Sequence, residues 1–300
     1  MDINTQWDKE ALLKASAFEP LHPFIARLHS VHFPTLQECN ALLLAHEPNI
    51  KVHNGTALAF VSQEYGKLEF EAQYEPRCYL KGEVPTRADN WHDLLNALVW
   101  LIFPKAKAEI NGRHYAALTQ ATLPEGTSKR GAVRDAITLL DESGVIVPYA
   151  DDDLAELLRG FRWKELFWHQ REKLGTNHFD GLRTGMGFYI FGHGLYEKAL
   201  KPYVGMTGQG LLLPVEKEFF TWSLERRLVR LDEQLAAYLS NAENARNTRE
   251  LSPVPLLGIP GWSADNEVAS YYDNTDYFRS GRQSAAQRKP LNTAPSSVAG

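Results

Sequence analysis

The chain has 300 residues, of which 44% are hydrophobic and 23% are charged, and its formal net charge is −5 at pH 7. This composition is typical of a packed globular protein, and the net charge argues against a nucleic-acid partner or an anionic membrane partner. The two cysteines form no CxxC motif, the N-terminus shows no secretory leader, and the longest apolar run is too short to span a membrane, so we expect a cytoplasmic protein.

The first part of the chain predicts short helices followed by a β-hairpin. Thr35 can cap a helix over Thr35–His46, whose apolar residues fall on one face. The runs Ala57–Ser62 and Lys67–Tyr74 are strand-like, and the second run alternates polar and apolar residues. A short turn joins the two runs, which predicts an antiparallel hairpin.

A helix predicted from Asn90 to Phe103 carries the clearest signal in the sequence. Thr86 or Asp89 can cap this helix, and Pro104 ends it. Most of its circumference is apolar, so we expect it to be largely buried. A polar stripe nevertheless recurs at helical spacing: Asp89, His92, Asp93, Asn96 and Trp100. Buried polar groups need hydrogen-bond partners, so this stripe either ties loops to the helix or faces a cavity.

The middle of the chain predicts a second hairpin and then mixed elements. Ala136–Leu140 and Val145–Pro148 read as strands on either side of the turn Asp141–Gly144. The elements that follow are a helix that opens on acidic residues, a strand and a short helix: Asp151–Leu174, Gly187–Phe191 and Leu195–Leu200.

The last third predicts a long helix, an extended segment and a tail. Leucines in Glu216–Tyr238 repeat at helical spacing, which indicates packing against the core or, alternatively, a homodimer seam. Leu251–Trp262 is too rich in proline and glycine for regular structure and reads as a strap lying on the body. Residues 281–300 read as a disordered tail. We expect one α+β domain over residues 1–280, with two β-hairpins packed against a mostly helical body.

Two histidines are candidate catalytic residues. His92 could act as an acid–base group or a metal ligand, oriented by Asp93 or Asn96, or it could be a buried structural residue. His193 lies between two glycines where a strand passes into a helix, which leaves its ring accessible. The alternative is that His193 forms a hydrogen bond within a turn.

Several charged and amide side chains are candidate binding residues. Arg134 and Asp135 follow Gly131 in a basic segment that could bind phosphate or carboxylate, or could be a solvated turn. The complete candidate set comprises His92, His193 and Asp141 as catalytic residues and Arg87, Asn90, Asn96, Arg134 and Asp135 as binding residues. The pattern specifies no cofactor, although a metal site built from the two histidines and an aspartate is conceivable.

Five runs carry a resemblance to a known family: GEVPTRADNWHDLLNALVWLIFPKAK, RGAVRDAITLLDESG, RWKELFW, FGHGLYEKAL and SPVPLLGIPGW. They resemble a bacterial domain-of-unknown-function family, number 3025, over roughly residues 15–280. This resemblance implies a single-domain cytoplasmic protein of a bacterium. It implies no catalytic residue, because the family has no established activity.

The working hypothesis is an enzyme, a hydrolase or transferase that uses histidine acid–base chemistry on a small anionic substrate. The alternative is a non-catalytic binding protein that uses the Leu251–Trp262 strap or the Glu216–Tyr238 helix. A metal-dependent nuclease is the third hypothesis, and the acidic net charge argues against it. Geometry discriminates between them, because His92 and His193 cannot share one substrate if they lie more than about 12 Å apart.

Overall fold

The computed structural model describes residues 7–29, 31–46, 49–120, 128–175 and 185–281. The helices of this part of the chain are α1 (Lys9–Lys14), α2 (His22–Ile25), α3 (Leu36–Leu44), α4 (Tyr74–Lys81), α5 (Trp91–Ile102), α6 (Pro104–Gln120), α7 (Ser128–Ser143), α8 (Asp152–Arg159), α9 (His193–Ala199) and α10 (Leu224–Ser240). The strands are β1 (Ala59–Ser62), β2 (Glu83–Thr86), β3 (Gly144–Tyr149), β4 (Leu174–Gly175), β5 (Met186–Gly187), β6 (Tyr189–Ile190), β7 (Thr207–Pro214) and β8 (Ser252–Pro255). This combination confirms the predicted α+β class.

The larger sheet has the strand order β4-β5-β3-β7-β8, and β6 also pairs with β3. β3 and β7 run parallel from the pair Gly144↔Gln209 to the pair Tyr149↔Pro214. β8 runs antiparallel to β7 and forms one end of this order. The prolines of β8 suit that position, because an edge strand needs fewer backbone donors than an inner strand.

The smaller sheet replaces the first predicted hairpin. β1 pairs in parallel with β2, and α4 lies between them in the chain. Lys67–Tyr74, the predicted partner strand, instead contains a short 3-10 helix and the first residue of α4. Asn40 of α3 bonds both backbone groups of Phe60, at 3.0 Å to its N–H and 2.8 Å to its carbonyl. The alternation of polar and apolar residues in Lys67–Tyr74 led to a wrong prediction, because the strand that pairs with β1 lies beyond a helix.

The second predicted hairpin is also corrected. Ala136–Leu140 belongs to α7, and Val145–Pro148 lies within β3. A short run of branched apolar residues fits a strand or one face of a buried helix, and here Ala136, Ile137 and Leu140 are buried at helical spacing. As a consequence, Asp141 and Glu142 lie in the last turn of a helix and not in a hairpin turn.

Helix α5 confirms the prediction of a buried helix with a polar stripe. Its cap is Asn90, whose side chain accepts a 3.0 Å hydrogen bond from the N–H of Asp93, rather than Thr86 or Asp89. Asp93, Asn96 and Trp100 are buried along with the apolar residues of α5. Asn90 therefore has a structural role at the start of the helix.

The boundaries of three later elements differ from the predicted ones. The helix that opens on acidic residues ends at Arg159, and Asp151 is its N-cap. The predicted strand Gly187–Phe191 is divided between β5 and β6. The helix that follows begins at His193 rather than at Leu195, so His193 is the first residue of α9.

Helix α6 is an element that the hydrophobic pattern does not predict, because its apolar residues are sparse and mostly small. Pro104 both ends α5 and begins α6, a position that suits proline because its missing N–H has no helical partner there. Asp232 of α10 accepts hydrogen bonds from the N–H groups of Lys105 at 3.1 Å and Ala106 at 2.8 Å. A side chain from a distant helix thus caps α6.

We expect Asp232→Ala to lower the free energy of unfolding by about 1–3 kcal/mol, because one buried and one partly buried N–H group lose their acceptor. Glu233→Ala is the matched control, since Glu233 pairs with Lys105 across a surface where both side chains are about half exposed. That control should change stability by less than about 0.5 kcal/mol. Urea denaturation of both variants measures the difference, and equal losses would contradict the capping role.

Helix α10 packs against the core through its leucines. The predicted helix Glu216–Tyr238 begins only at Leu224, because residues 217–221 form a 3-10 helix. Leu228, Leu231 and Leu235 are buried within the chain itself. The homodimer through this helix stays a prediction.

The strap Leu251–Trp262 lies on the body as expected, and part of it is β8. Buried apolar residues form one cluster that extends from Trp7 to Phe278. The predicted disordered tail lies, apart from Gly281, outside the described residues. Among the helices described, none is long and apolar enough to cross a membrane.

Candidate functional site

Three helices bring two histidines and two acidic residues together. His92 lies in the first turn of α5, Asp141 and Glu142 lie in the last turn of α7, and His193 begins α9. The Nε2 atoms of His92 and His193 are 3.0 Å apart. Oε1 of Glu142 lies 3.5 Å from Nε2 of His193.

The glycines beside His193 permit this convergence. A Cβ atom at Gly194 would collide with the carboxylate of Glu142, and a Cβ atom at Gly192 would collide with the backbone at Ser143 and Gly144. The start of α9 can therefore approach the end of α7 closely only without side chains at these two positions. The sequence Gly-His-Gly thus places the ring of His193 beside Glu142.

Glu197 determines which ring nitrogen of His92 carries the proton. Oε2 of Glu197 lies 2.9 Å from Nδ1 of His92. Because an ionised carboxylate can only accept hydrogen bonds, Nδ1 carries the proton. In a neutral His92 ring, Nε2 then presents its lone pair toward His193.

Lys107 and Asp141 form a buried ion pair beneath His193. Nζ of Lys107 lies 2.5 Å from Oδ1 of Asp141, and the Lys107 side chain is only 3% exposed. Burial is the largest single influence on the pKa of Asp141 and raises it, but the charge and hydrogen bond of Lys107, together with His193 and His114, hold the pKa below its usual value. Burial lowers the pKa of His193 to about 4, so this ring is neutral at pH 7.

The position of the proton on the His193 ring decides whether its Nε2 atom presents an N–H or a lone pair to His92. Its Nδ1 atom is buried and lies 3.8 Å from Oδ2 of the Asp141 carboxylate. A lone pair on Nδ1 would face this negative charge, so electrostatics favours a proton on Nδ1. Both Nε2 atoms then present lone pairs to each other beside the Glu142 carboxylate. Such an arrangement needs a positive species among the three groups, either a proton or a metal ion.

The spacing of the three groups fits a metal ion. One ligand atom from each of His92, Glu142 and His193 lies within 4.8 Å of the others. Zinc–nitrogen and zinc–oxygen bonds of about 2.0–2.1 Å in a tetrahedron place ligand atoms about 3.3 Å apart. The separations of 3.0 Å and 3.5 Å lie on either side of this value. Three protein ligands leave a fourth position open, as in catalytic zinc sites.

The candidate ligands open onto a cavity of about 450 Å³. Its walls carry both the polar stripe of α5 and the end of α7: Gln63, Tyr65, Tyr74, Glu75, Pro85, Arg87, His92, Asp93, Asn96, Asp141, Glu142 and His193. Carboxylates outnumber cationic side chains in this lining. Burial also raises the pKa of Glu142, as expected for a carboxylate that lacks a cationic partner. The lining therefore favours a bound cation.

Two amides hold further polar groups at the cavity. Nδ2 of Asn96 donates to the Tyr74 hydroxyl at 2.7 Å. Nδ2 of Asn111 donates to Oε2 of Glu75 at 2.6 Å. Burial raises the pKa of Glu75 to about 7, so this carboxyl group can gain or lose a proton near neutral pH.

The structure brings together some of the residues predicted from the sequence and separates others. His92, His193, Asp141, Arg87 and Asn96 line the cavity, and of the polar stripe His92, Asp93 and Asn96 face it. Arg134 and Asp135 are exposed on α7 and do not line it. The side chains of Lys129 and Arg130, in the same basic segment, lie outside the described residues.

Sequence reasoning missed four residues of the site: Glu75, Lys107, Glu142 and Glu197. Glu142 was assigned to a hairpin turn, which concealed its place beside Asp141 at a helix end. The run His193-Gly-Leu-Tyr-Glu197 does carry a usable signal, because residues four apart share one face of a helix. Glu75 and Lys107 show no comparable pattern.

Comparison with known proteins identifies the family to which the site belongs. A family model described as "Protein of unknown function (DUF3025)" matches residues 58–282. No curated protein and no solved structure matches the chain. The candidate site lies entirely inside the segment that the family model matches.

Proposed function

Because the chain belongs to the DUF3025 family, whose description assigns no activity, we propose its function from the site: a metal-dependent hydrolase acting on a small anionic substrate. His92, Glu142 and His193 bind one divalent metal ion. The observation that carries this proposal is the convergence of two imidazole Nε2 atoms, 3.0 Å apart, with a carboxylate oxygen. Two histidines and one glutamate form a recurrent ligand set of catalytic zinc sites.

The ligands of the proposed site have the supporting contacts that metal ligands require. Glu197 accepts the Nδ1 proton of His92, which fixes the tautomer and directs Nε2 toward the metal. Asp141 places a negative charge near Nδ1 of His193 and favours the corresponding tautomer there. When bound, the ion supplies Lewis-acid chemistry and lowers the pKa of a coordinated water toward about 7.

Glu75 is the proposed proton carrier of the reaction. It lines the same cavity, and Asn111 fixes one of its carboxylate oxygens. A general acid–base group works best when its pKa lies close to the working pH, and burial raises the pKa of Glu75 to about 7. Glu75 can therefore accept a proton from the nucleophilic water and return it to the leaving group.

The alternatives receive less support from the site. Metal-free acid–base chemistry by His92 and His193 would use the same contact between their Nε2 atoms. It needs an additional proton between the two Nε2 lone pairs. A non-catalytic binding protein does not account for two histidines and four carboxylates at one cavity. A nuclease is disfavoured by the acidic lining of the cavity.

Metal loading of the purified protein tests the proposal. After treatment with a chelator, the protein should bind about one equivalent of Zn²⁺ or Co²⁺ per chain, as measured by elemental mass spectrometry. The loaded protein should hydrolyse at least one member of a panel of chromogenic esters, anilides and phosphodiesters. The chelator should remove that activity, and added metal should restore it. No metal uptake, or hydrolysis that is insensitive to the chelator, would refute the proposal.

We also propose a bacterial, cytoplasmic setting for this activity. Cys39 and Cys78 are both free and buried, and burial raises the pKa of the Cys39 thiol to about 12. Such thiols are unreactive structural residues and fit a reducing compartment.

A further inference from the structure

We propose that the substrate carries a single carboxylate, which binds to an anion subsite formed by Arg87 and Tyr65 on the wall of the cavity. This inference rests on the proposed function, since it assumes that the metal ion acts on another part of the same substrate. It narrows the substrate class from small anions to monocarboxylates. The contacts of Arg87, the exposure of Tyr65 and the charge balance of the site support it.

Arg87 is held in one orientation but keeps one free end. Its Nε donates to Oδ2 of Asp93 at 2.9 Å, and its Nη2 donates to Oδ1 at 2.8 Å. The backbone N–H of Arg87 also donates to Oδ2, at 2.7 Å. Its Nη1 makes no hydrogen bond to any residue that the structure describes, and its side chain is 43% exposed. A guanidinium that is fixed by hydrogen bonds through Nε and Nη2, with Nη1 unpaired, is preorganised to bind an anion.

Tyr65 provides the second donor. It lines the cavity, although the residue is 81% exposed. Glu64, the preceding residue, pairs with Arg77 at 2.8 Å and thereby anchors the segment that carries Tyr65. The bonds to Asp93 raise the pKa of Arg87, and Tyr65 adds to this effect, so the phenol lies within electrostatic range of the guanidinium. A carboxylate at Arg87 can also accept a hydrogen bond from the Tyr65 hydroxyl.

The charge balance favours one negative charge over two. Asp93 compensates Arg87, and Lys107 compensates Asp141, which leaves the carboxylates of Glu142 and Glu197 as the uncompensated charges next to the histidines. A divalent metal ion changes the sum to about zero. A monocarboxylate then adds one negative charge to the half-enclosed cavity, whereas a phosphate dianion adds two. The loaded site should therefore bind carboxylates more tightly than phosphate monoesters.

Hydroxamates test the subsite separately from the metal, because a hydroxamate binds the metal ion whatever it carries at its other end. Isothermal titration of the zinc-loaded protein compares acetohydroxamate, ω-carboxy hydroxamates of increasing chain length, and phosphonate counterparts. The best carboxylate should bind about ten- to a hundredfold more tightly than acetohydroxamate, the gain expected of charge-assisted hydrogen bonds. The phosphonates should gain less.

Two variants assign this gain to residues. Arg87→Gln should remove it, and Tyr65→Phe should reduce it severalfold without disturbing the fold, since Tyr65 is exposed. In each variant the gain is the ratio of the carboxylate affinity to the acetohydroxamate affinity, so a general loss of hydroxamate binding does not count as a loss of the gain. Arg162→Gln is the matched control, because Arg162 is an exposed arginine paired with Glu165 elsewhere on the surface.

The outcomes separate the two proposals. Absence of acetohydroxamate binding to the zinc-treated protein overturns the metal function, and the inference that rests on it falls as well. Acetohydroxamate binding without any carboxylate gain overturns the inference alone. A larger gain for phosphonates, or a carboxylate gain that persists in both Arg87→Gln and Tyr65→Phe, also overturns it.

Discussion

Replacing Glu142 with glutamine is expected to weaken zinc binding by about a hundredfold or more, because a neutral amide replaces the only anionic ligand of the proposed site. His92→Ala and His193→Ala should weaken binding to at least the same extent, since each leaves only two protein ligands. Competition with a chromophoric chelator measures the three dissociation constants. Metal-dependent hydrolysis should disappear in the same variants.

Two comparisons keep this first prediction specific. The Glu142 side chain is 43% exposed, so the glutamine variant should fold normally and report on metal binding alone. His169 is an exposed histidine outside the cavity, so His169→Ala should bind zinc like the original protein. Unchanged zinc affinity in Glu142→Gln would exclude Glu142 as a ligand, and equal losses in His169→Ala would indicate nonspecific binding.

Replacing Lys107 with methionine is expected to lower the free energy of unfolding by about 3–5 kcal/mol, because it leaves the Asp141 carboxylate buried without a partner. The side chains of Lys107 and Asp141 are 3% and 15% exposed, so little water is available to solvate the remaining charge. Chemical denaturation of the metal-free protein measures this loss. The same variant should disturb the site, because Asp141 lies beside His193.

Lys105→Met is the matched control for this second prediction, since Lys105 lies on the same helix and pairs with Glu233 at the surface. Its stability should fall by less than about 1 kcal/mol. The double variant Lys107→Met with Asp141→Asn should recover part of the loss, because no buried charge then lacks a partner. A loss in Lys107→Met no larger than that in Lys105→Met would show that the ion pair contributes little.

Local patterns of hydrophobicity and capping correctly predicted the helices whose formation depends on a single segment of the chain. The helix α5 was identified because its apolar circumference, its polar stripe and Pro104 all lie within a few turns. α3 was predicted together with its cap, Thr35, whose side chain accepts a hydrogen bond from the N–H of Glu38. The α+β class followed from such local signals.

Strand pairing depends on distant residues and was therefore predicted wrongly. β1 pairs with β2 across a helix, and β3 pairs with β7, which lies more than fifty residues further along the chain. Residues 136–140 could form either a strand or a helix, and only packing within the folded chain decides between them. The assumption that neighbouring runs pair with each other produced both incorrect hairpins.

The same distinction explains which site residues could be predicted. His92 and His193 were found because each is unusual within its own segment, one on an apolar helix and one between glycines. Arg134 is equally unusual in its segment, yet it does not line the cavity. The sequence alone did not show which face of α7 packs toward the cavity. The role of Lys107 depends on its ion pair with Asp141, which is distant in the sequence, so no local pattern around Lys107 predicts that role.

In the proposed metal site, helix α9 supplies both a ligand and the residue that orients another ligand. His193 and Glu197 lie four residues apart on this short helix, and His92 contacts both of them. A displacement of α9 would therefore remove one ligand and release the ring of the second in a single movement. The centre should assemble in an all-or-none manner, so that partly formed versions with loosely held metal are rarely populated. A mutation that shifts α9 should then lower the fraction of fully active molecules rather than the activity of each molecule.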